Sequence, residues 1–239
     1  MADTTLDNSQ HKDHEGHWVA VSDLMAGLMM VFMLVAVVFM IDAEIEKNKI
    51  RDVAILYDHL RQELYSDLLD EFESDLPKWG AELDKDLTFR FNDSELLFDQ
   101  GEAELKQKFQ TILTDFFPRY VSIITNEKYR NDILEVRIEG HTSTGWHNAR
   151  SADDAYIRNM DLSQERTRST LAYVLALPEL KQTNGWLKSH LTANGLSSAK
   201  VIVDAQGNEN SKASRRVEFK VRTDADSRIA TILNSALQN

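Results

Sequence analysis

Eighteen consecutive residues, Leu24 to Ile41 (LMAGLMMVFMLVAVVFMI), carry no charge and no strongly polar side chain. As an α-helix they extend about 27 Å, close to the hydrocarbon thickness of a bilayer. Such a run crosses a membrane, is removed as a signal peptide, or forms the core helix of a soluble protein. Core helices rarely stay apolar on every face for this long. A signal peptide needs a basic flank and a small-residue cleavage site. The flank before Trp18 has one lysine, Lys12, against four acids, and no such site follows. Trp18 lies where interfacial aromatics collect, and Asp42 and Glu44 close the run. The expectation is a single retained transmembrane helix over residues 18–42.

The remainder of the chain is polar enough to hide this segment in a mean hydropathy of −0.40. With 239 residues, the sequence has room for one α+β domain besides the span. A net charge of −12 argues against direct nucleic-acid binding, which needs a basic surface. The absence of cysteine excludes a disulfide framework, a thiolate zinc site and a cysteine nucleophile. No phosphate loop, HExxH or GxSxG is present, and no paired carboxylate stands out, so an enzyme acting on the cell wall is the weakest function class. His11, His14 and His17 are spaced by three; in a short polar tail they read as a weakly binding segment, not a metal site.

Five segments are expected. Residues 1–17 form an N-terminal tail and 18–42 the membrane helix. Residues 43–80 form an amphipathic linker helix, with Ile50, Val53, Tyr57, Leu60, Leu64 and Leu68 at spacings of three and four. That stripe would pair with a second copy or pack on the adjoining domain, and Pro77 and Gly80 interrupt it. Residues 81–223 form the α+β domain and 224–239 a C-terminal tail. Within the domain the patterns predict strands at Leu87–Phe91, Ile133–Ile138, Lys200–Asp204 and Arg216–Val221. They predict helices at Glu102–Phe117 (ended by Pro118), Ser163–Leu177 (ended by Pro178) and Trp186–Ala193. Strands and helices in this order imply helices packed on one face of a mixed sheet.

Asp23, immediately before the apolar run, admits two readings. Ser22 and Asp23 could cap the membrane helix in the headgroup region. Alternatively, Asp23 carries an ion: a carboxylate desolvated between helices takes up a proton on one side and releases it on the other, with Ser22 donating to the ionised form. A lone aspartate with one serine suits protons, since sodium sites need several oxygen ligands. The stretch from Trp18 through Ser22-Asp23 into a Met-rich helix with Ala26 and Gly27 resembles the transmembrane segment of flagellar stator subunits of the MotB type. It is more similar still to the MotB-like component of the Zorya anti-phage system.

The C-terminal domain carries an ordered series: LLFDQGEAEL (Leu96–Leu105), VRIEGHTS (Val136–Ser143), NMDLSQERTRSTLAYVL (Asn159–Leu175) and ASRRVEFKV (Ala213–Val221). The series resembles the OmpA-like peptidoglycan-binding domain, with the Asn-x-x-Leu-Ser-x-x-Arg motif matched by Asn159, Leu162, Ser163 and Arg166. The resemblance implies that Arg166 grips a carboxylate of a diaminopimelate-type peptide stem. Asn159, the Leu162 backbone, Thr142 and Ser143 would line the same pocket. The family has an aspartate, which meets the ligand's ammonium, where this chain has Ser143. The following loop, Trp146 to Arg158, is long, and Asp153 or Asp154 is the expected replacement acid. Arg215 and Arg216 are expected to neutralise acids beside the pocket.

Together the resemblances imply a homodimer inside a MotA-like pentameric membrane ring, held to peptidoglycan and driven by protons passing Asp23, with no cofactor. The implied placement is the bacterial inner membrane, N-terminus cytoplasmic and C-terminal domain periplasmic. The charge rule leans the other way, with Lys12 before the span and Lys47, Lys49 and Arg51 after it. A flagellar stator subunit and a passive wall anchor without ion transport are the alternatives.

Overall fold

A computed structural model describes residues 10–92 and 94–224 of the chain. These fall into two compact units, one reaching Val53 and one beginning at Ala54. Helix α1 (Gln10–Phe72) contributes to both.

In the first unit α1 contains a stretch, Trp18–Asn48, long and apolar enough to cross a membrane, and none of its most apolar window is buried. Its 31 residues rise about 46 Å. Leu24, Met29, Met30, Met33 and Phe39 all stand exposed. A soluble core helix would hide these side chains, so full exposure separates this helix from that class. The helix begins at Gln10, inside the segment expected to be a tail, and no break separates the span from the expected linker helix. Residues 1–9 and 225–239, and the side chains of His11, His14, His17, Val53 and Tyr57, lie outside the described residues.

The second unit begins with the last turns of α1, where Leu64, Leu68 and Phe72 are fully buried in the domain core. The C-terminal end of the stripe, Leu64 and Leu68 with Leu60 partly buried beside them, therefore packs on the domain. Pro77 opens the short α2 (Leu76–Trp79), which ends on Gly80 in the left-handed conformation (φ 60°). Then follow β1 (Ala81–Leu83), β2 (Thr88–Phe91), α3 (Ser94–Leu97), α4 (Gln107–Ile124), β3 (Ile133–His141) and α5 (Ala152–Leu175). A single 3-10 turn at Pro178–Leu180 leads to α6 (Asn184–His190), β4 (Leu191–Gly195), α7 (Ser211–Ser214) and β5 (Arg216–Thr223).

The strands form one sheet in the order β1-β2-β5-β3-β4, antiparallel except for the β3–β4 pair. Val217, Phe219 and Val221 on β5, with Val136 and Ile138 on β3, face the helices and are buried. The alternate residues Glu135, Arg137, Glu139, Glu218, Lys220 and Arg222 are charged, as expected of a sheet covered by helices on one face only. An aromatic cluster of Phe72, Phe89, Phe91, Phe116, Tyr120 and Phe219, with ring centroids 5.0–6.5 Å apart, joins α1, α4 and the sheet.

Several elements differ from expectation: β1 is not among the expected strands, and α4 starts at Gln107 rather than Glu102, because residues 98–105 form a short bridge instead. Helix α4 runs through Pro118 and ends at Ile124. An interior proline costs about 3 kcal/mol or more. Burying Val121 and Ile124 beyond it returns about 3–6 kcal/mol, enough to offset that cost. Helix α5 starts at Ala152, consuming most of the expected long loop. Residues 191–193, expected to end a helix, instead enter β4, which pairs in parallel with β3 from Val136 to Gly140. Lys200–Asp204 is not a strand: beyond a single bridge at Val203, its backbone is engaged locally. The Ile202 N–H donates to Ser214 Oγ, and the Ile202 carbonyl accepts from the Asn210 N–H.

Candidate functional site

The residues of the second and third sequence motifs meet where α5 crosses the C-terminal ends of β3 and β4. Gly140 and Gly195 are register partners on those strands. A Cβ on Gly195 would lie 2.3 Å from the Gln164 backbone nitrogen, and one on Gly140 would lie 2.7 Å from Thr167 Cγ2. Two glycines side by side thus let the α5 backbone rest directly on the sheet. Ser163 fixes the contact: its hydroxyl donates to the Met160 carbonyl and accepts from the Ser197 N–H. Ser197 in turn accepts from the Thr142 N–H through its carbonyl. The Gly-His-Thr and Leu-Ser-x-x-Arg motifs are therefore first a packing device, and the pocket follows from it.

That pocket, a cavity of about 510 Å³, is lined by Thr142, Ser143, Asn159, Leu162 and Arg166. Sequence reasoning placed all five residues in one site, and the structure brings them together. The wall is completed by Phe98, Asp99, Gln100 and Gly101, by the loop Gly145–His147, and by Arg215. Arg166 is 9% exposed. Its Nε donates to the Glu102 carbonyl at 2.8 Å and its Nη2 to the Asp99 carbonyl at 3.0 Å, while its plane sits 4.8 Å over the Phe98 ring. Neutral carbonyls and a ring face position this guanidinium without neutralising it. Burial, with a smaller push from the like charge of Arg215, brings its pKa down to about 10, so it remains a cation at neutral pH.

Asp153 and Asp154 do not line the pocket. They lie in the first turn of α5, where acids suit the helix dipole. Ser151 caps this helix by accepting from the Asp154 N–H, and Asp154 accepts from the Arg150 N–H and from Arg158 Nε. These hydrogen bonds hold the Asp154 carboxyl below the usual carboxylate range. The Ser-Ala-Asp-Asp sequence was itself the missed signal, since Ser-x-x-Asp marks a helix start. The acid that does line the pocket is Asp99, whose Oδ1 lies 2.8 Å from Lys106 Nζ.

Arg216 and Arg215 part ways. Arg216 donates to Glu218 Oε1 at 2.7 Å and to the carbonyls of Lys200 and Ser214. Arg215, expected to share that structural role, instead lines the pocket. Among the described residues, Glu139, His141 and Glu218 lie close enough together to suggest a metal site. Their charges are already matched. Glu218 accepts from Arg90 and Arg216, and Arg137 and Lys200 each stand 3.8 Å from Glu139. His141 Nε2 at 3.4 Å and the two guanidinium groups hold the Glu218 carboxyl far below its ordinary value, against the opposing effect of burial. The cluster is a compensated ion network rather than a cation site.

In the first unit, Asp23 and Ser22 lie thirteen and twelve residues inside α1 (23 − 10 and 22 − 10). Neither is at a helix start, so the capping reading of Asp23 falls. Successive residues on a helix do not face each other, which leaves Ser22 badly placed to donate to Asp23. Asp23 sits at the head of a fully exposed apolar helix.

These elements define the class: an α+β domain with an arginine pocket at the strand ends, in a chain that, among the described residues, also carries one helix apolar and long enough to cross a membrane. Among known proteins, the chain is 48% identical over 223 residues to Zorya protein ZorB of Escherichia coli, covering 93% of this chain and 94% of that one. It belongs to the ZorB family. No protein-family model matches it. Among solved structures, it aligns with a MotB-like protein from Desulfovibrio vulgaris at 25% identity and a TM-score of 0.47, over 73% of this chain and 98% of that one. The periplasmic domain of Helicobacter pylori MotB aligns at 17% identity and a TM-score of 0.42, over 64% and 87%. The family assignment rests on the ZorB relative and not on these alignments.

Proposed function

We propose that this chain is the peptidoglycan-anchored subunit of a proton-driven rotary motor of the bacterial inner membrane, acting in anti-phage defence. In this reading two copies pair their membrane helices inside a ring of MotA-like (ZorA-like) subunits. The helix crosses the inner membrane once, with the α+β domain in the periplasm. Protons pass Asp23 and turn the ring, while the domain holds the central dimer to the wall. The chain contributes no hydrolytic chemistry and needs no bound cofactor.

The observation that carries the anchoring half is the state of Arg166: buried, cationic, braced by two carbonyls and facing a cavity with no carboxylate bonded to it. A buried unpaired charge is costly, and a carboxylate ligand relieves that cost through parallel charge-assisted hydrogen bonds. The motor half rests on Asp23, a carboxylate at the edge of an apolar helix whose exposed faces need lipid or partner helices to cover them.

Co-sedimentation of the full chain in detergent with purified peptidoglycan sacculi tests the anchor. Losing a charge-assisted bidentate contact of about 1.5–3 kcal/mol, Arg166→Ala should weaken binding about 10–150-fold. Arg166→Lys should keep a fraction of it, because a point charge replaces the fork. Wild-type binding that neither variant changes, with all three proteins folded by circular dichroism, refutes the anchoring role.

A further inference from the structure

Resting on the peptidoglycan reading above, we infer that the pocket selects a stem-peptide end that presents carboxylates without a free ammonium. That end is a diaminopimelate whose second amino group is already acylated, as in cross-linked wall. The pocket's charges point this way. Arg166 and Arg215 both line it, and neither is bonded to a carboxylate among the described residues. The acid lining it, Asp99, is paired to Lys106 and therefore adds little net negative charge. A free ammonium entering beside two guanidinium groups meets repulsion, opposed among the described residues by the charge of Glu102 and by an Asp99 that Lys106 already pairs.

The polar groups at the other wall fit an amide. Ser143 and Thr142 are buried, and Thr142 Oγ1 has no hydrogen-bond partner among the described residues. A hydroxyl satisfies the single N–H of an acylated nitrogen at no charge cost. It cannot compensate the charge of an ammonium that has given up its water. The backbone next to them is fixed at Thr144, whose N–H and side chain both donate to the Glu209 carboxylate. The missing acid at position 143 and the pocket-facing Arg215 are then one feature. Together they suit an anion rather than a zwitterion.

The test compares two probes that differ only in that charge: the tripeptide L-Ala-γ-D-Glu-meso-diaminopimelate with its free amine, and the same tripeptide acetylated at that amine. Binding to the full chain in detergent is read by calorimetry. The acetylated probe should bind the wild type about 3–10-fold more tightly, since an unpaired charge is avoided. Ser143→Asp should reverse that order, and Arg215→Gln should weaken both probes. A free-amine probe that binds the wild type more tightly or equally overturns the selectivity. If that binding still depends on Arg166, the anchoring role survives without it. Binding of neither probe, or binding indifferent to Arg166→Ala, overturns both.

Discussion

Replacing Asp23 by Asn should abolish phage protection in cells carrying the native operon, returning plating efficiency to that of cells without the system, at unchanged membrane levels of the protein. Asn matches Asp in size and in its ability to accept a backbone hydrogen bond, but it cannot bind and release a proton. The position inside α1 gives this comparison its force. Thirteen residues separate Asp23 from the helix start (23 − 10), so no cap is lost in the exchange. Asp23→Glu keeps a titratable carboxyl and should retain partial protection. Full protection by Asp23→Asn would remove proton carriage and leave a passive anchor. If the wild type confers no protection, swimming motility in the same comparison decides for a flagellar stator.

The second large effect is structural. Gly195→Ala should destabilise the α+β domain by about 3 kcal/mol or more, because the new Cβ would lie 2.3 Å from the backbone of Gln164 and 2.6 Å from its Cα. Neither atom is the free end of a flexible side chain, so relief requires α5 to lift from the sheet. Arg166, Asn159 and Leu162 ride on that helix, and wall binding should fall with stability. Gly140→Ala meets the Thr167 methyl at 2.7 Å and the Ser163 carbonyl oxygen at 2.9 Å and should cost less, since these overlaps are smaller than those at Gly195. Gly185→Ala is the control: nothing lies within 4 Å of its Cβ, and a helical Gly→Ala change gains about 0.5–1 kcal/mol. Thermal unfolding of the full-length variants in detergent ranks the three. A Gly195→Ala protein as stable as wild type would contradict the packing described.

How much of this was legible in the chain differs by residue type. The apolar run needed only a count of side chains, because a bilayer imposes length and polarity directly. Arg166, Asn159, Leu162, Thr142 and Ser143 were readable as a set because two short motifs are locked together by Gly140, Gly195 and Ser163. Pro118 misled because local propensity takes no account of the aromatic core awaiting Tyr120 and Ile124. Strand β4 was hidden because five residues ending in Asn-Gly acquire strand character only by pairing with β3. Arg215 and Arg216 are neighbours of one kind, but Arg216 opens β5 while Arg215 lies just before it, at the end of α7. One entered the ion network with Glu218 and the other the pocket, a division that depends on where the strand begins. Asp99 stands inside the first of the four motifs, but its place at the pocket wall depends on bringing that loop to Gly140 and Arg166, which are far from it in sequence.

The central claim requires the α+β domain to lie on the wall side of the inner membrane, against the lean of the lysine and arginine count. The chain has no cysteine, so a single introduced thiol reports its own compartment. Ser211→Cys, at an exposed position of the domain, should be labelled by a membrane-impermeant maleimide in cells whose outer membrane alone has been opened. Ser9→Cys should be labelled only after the inner membrane is lysed. The reverse pattern would put the domain in the cytoplasm, away from peptidoglycan, and would contradict the anchored motor as a whole.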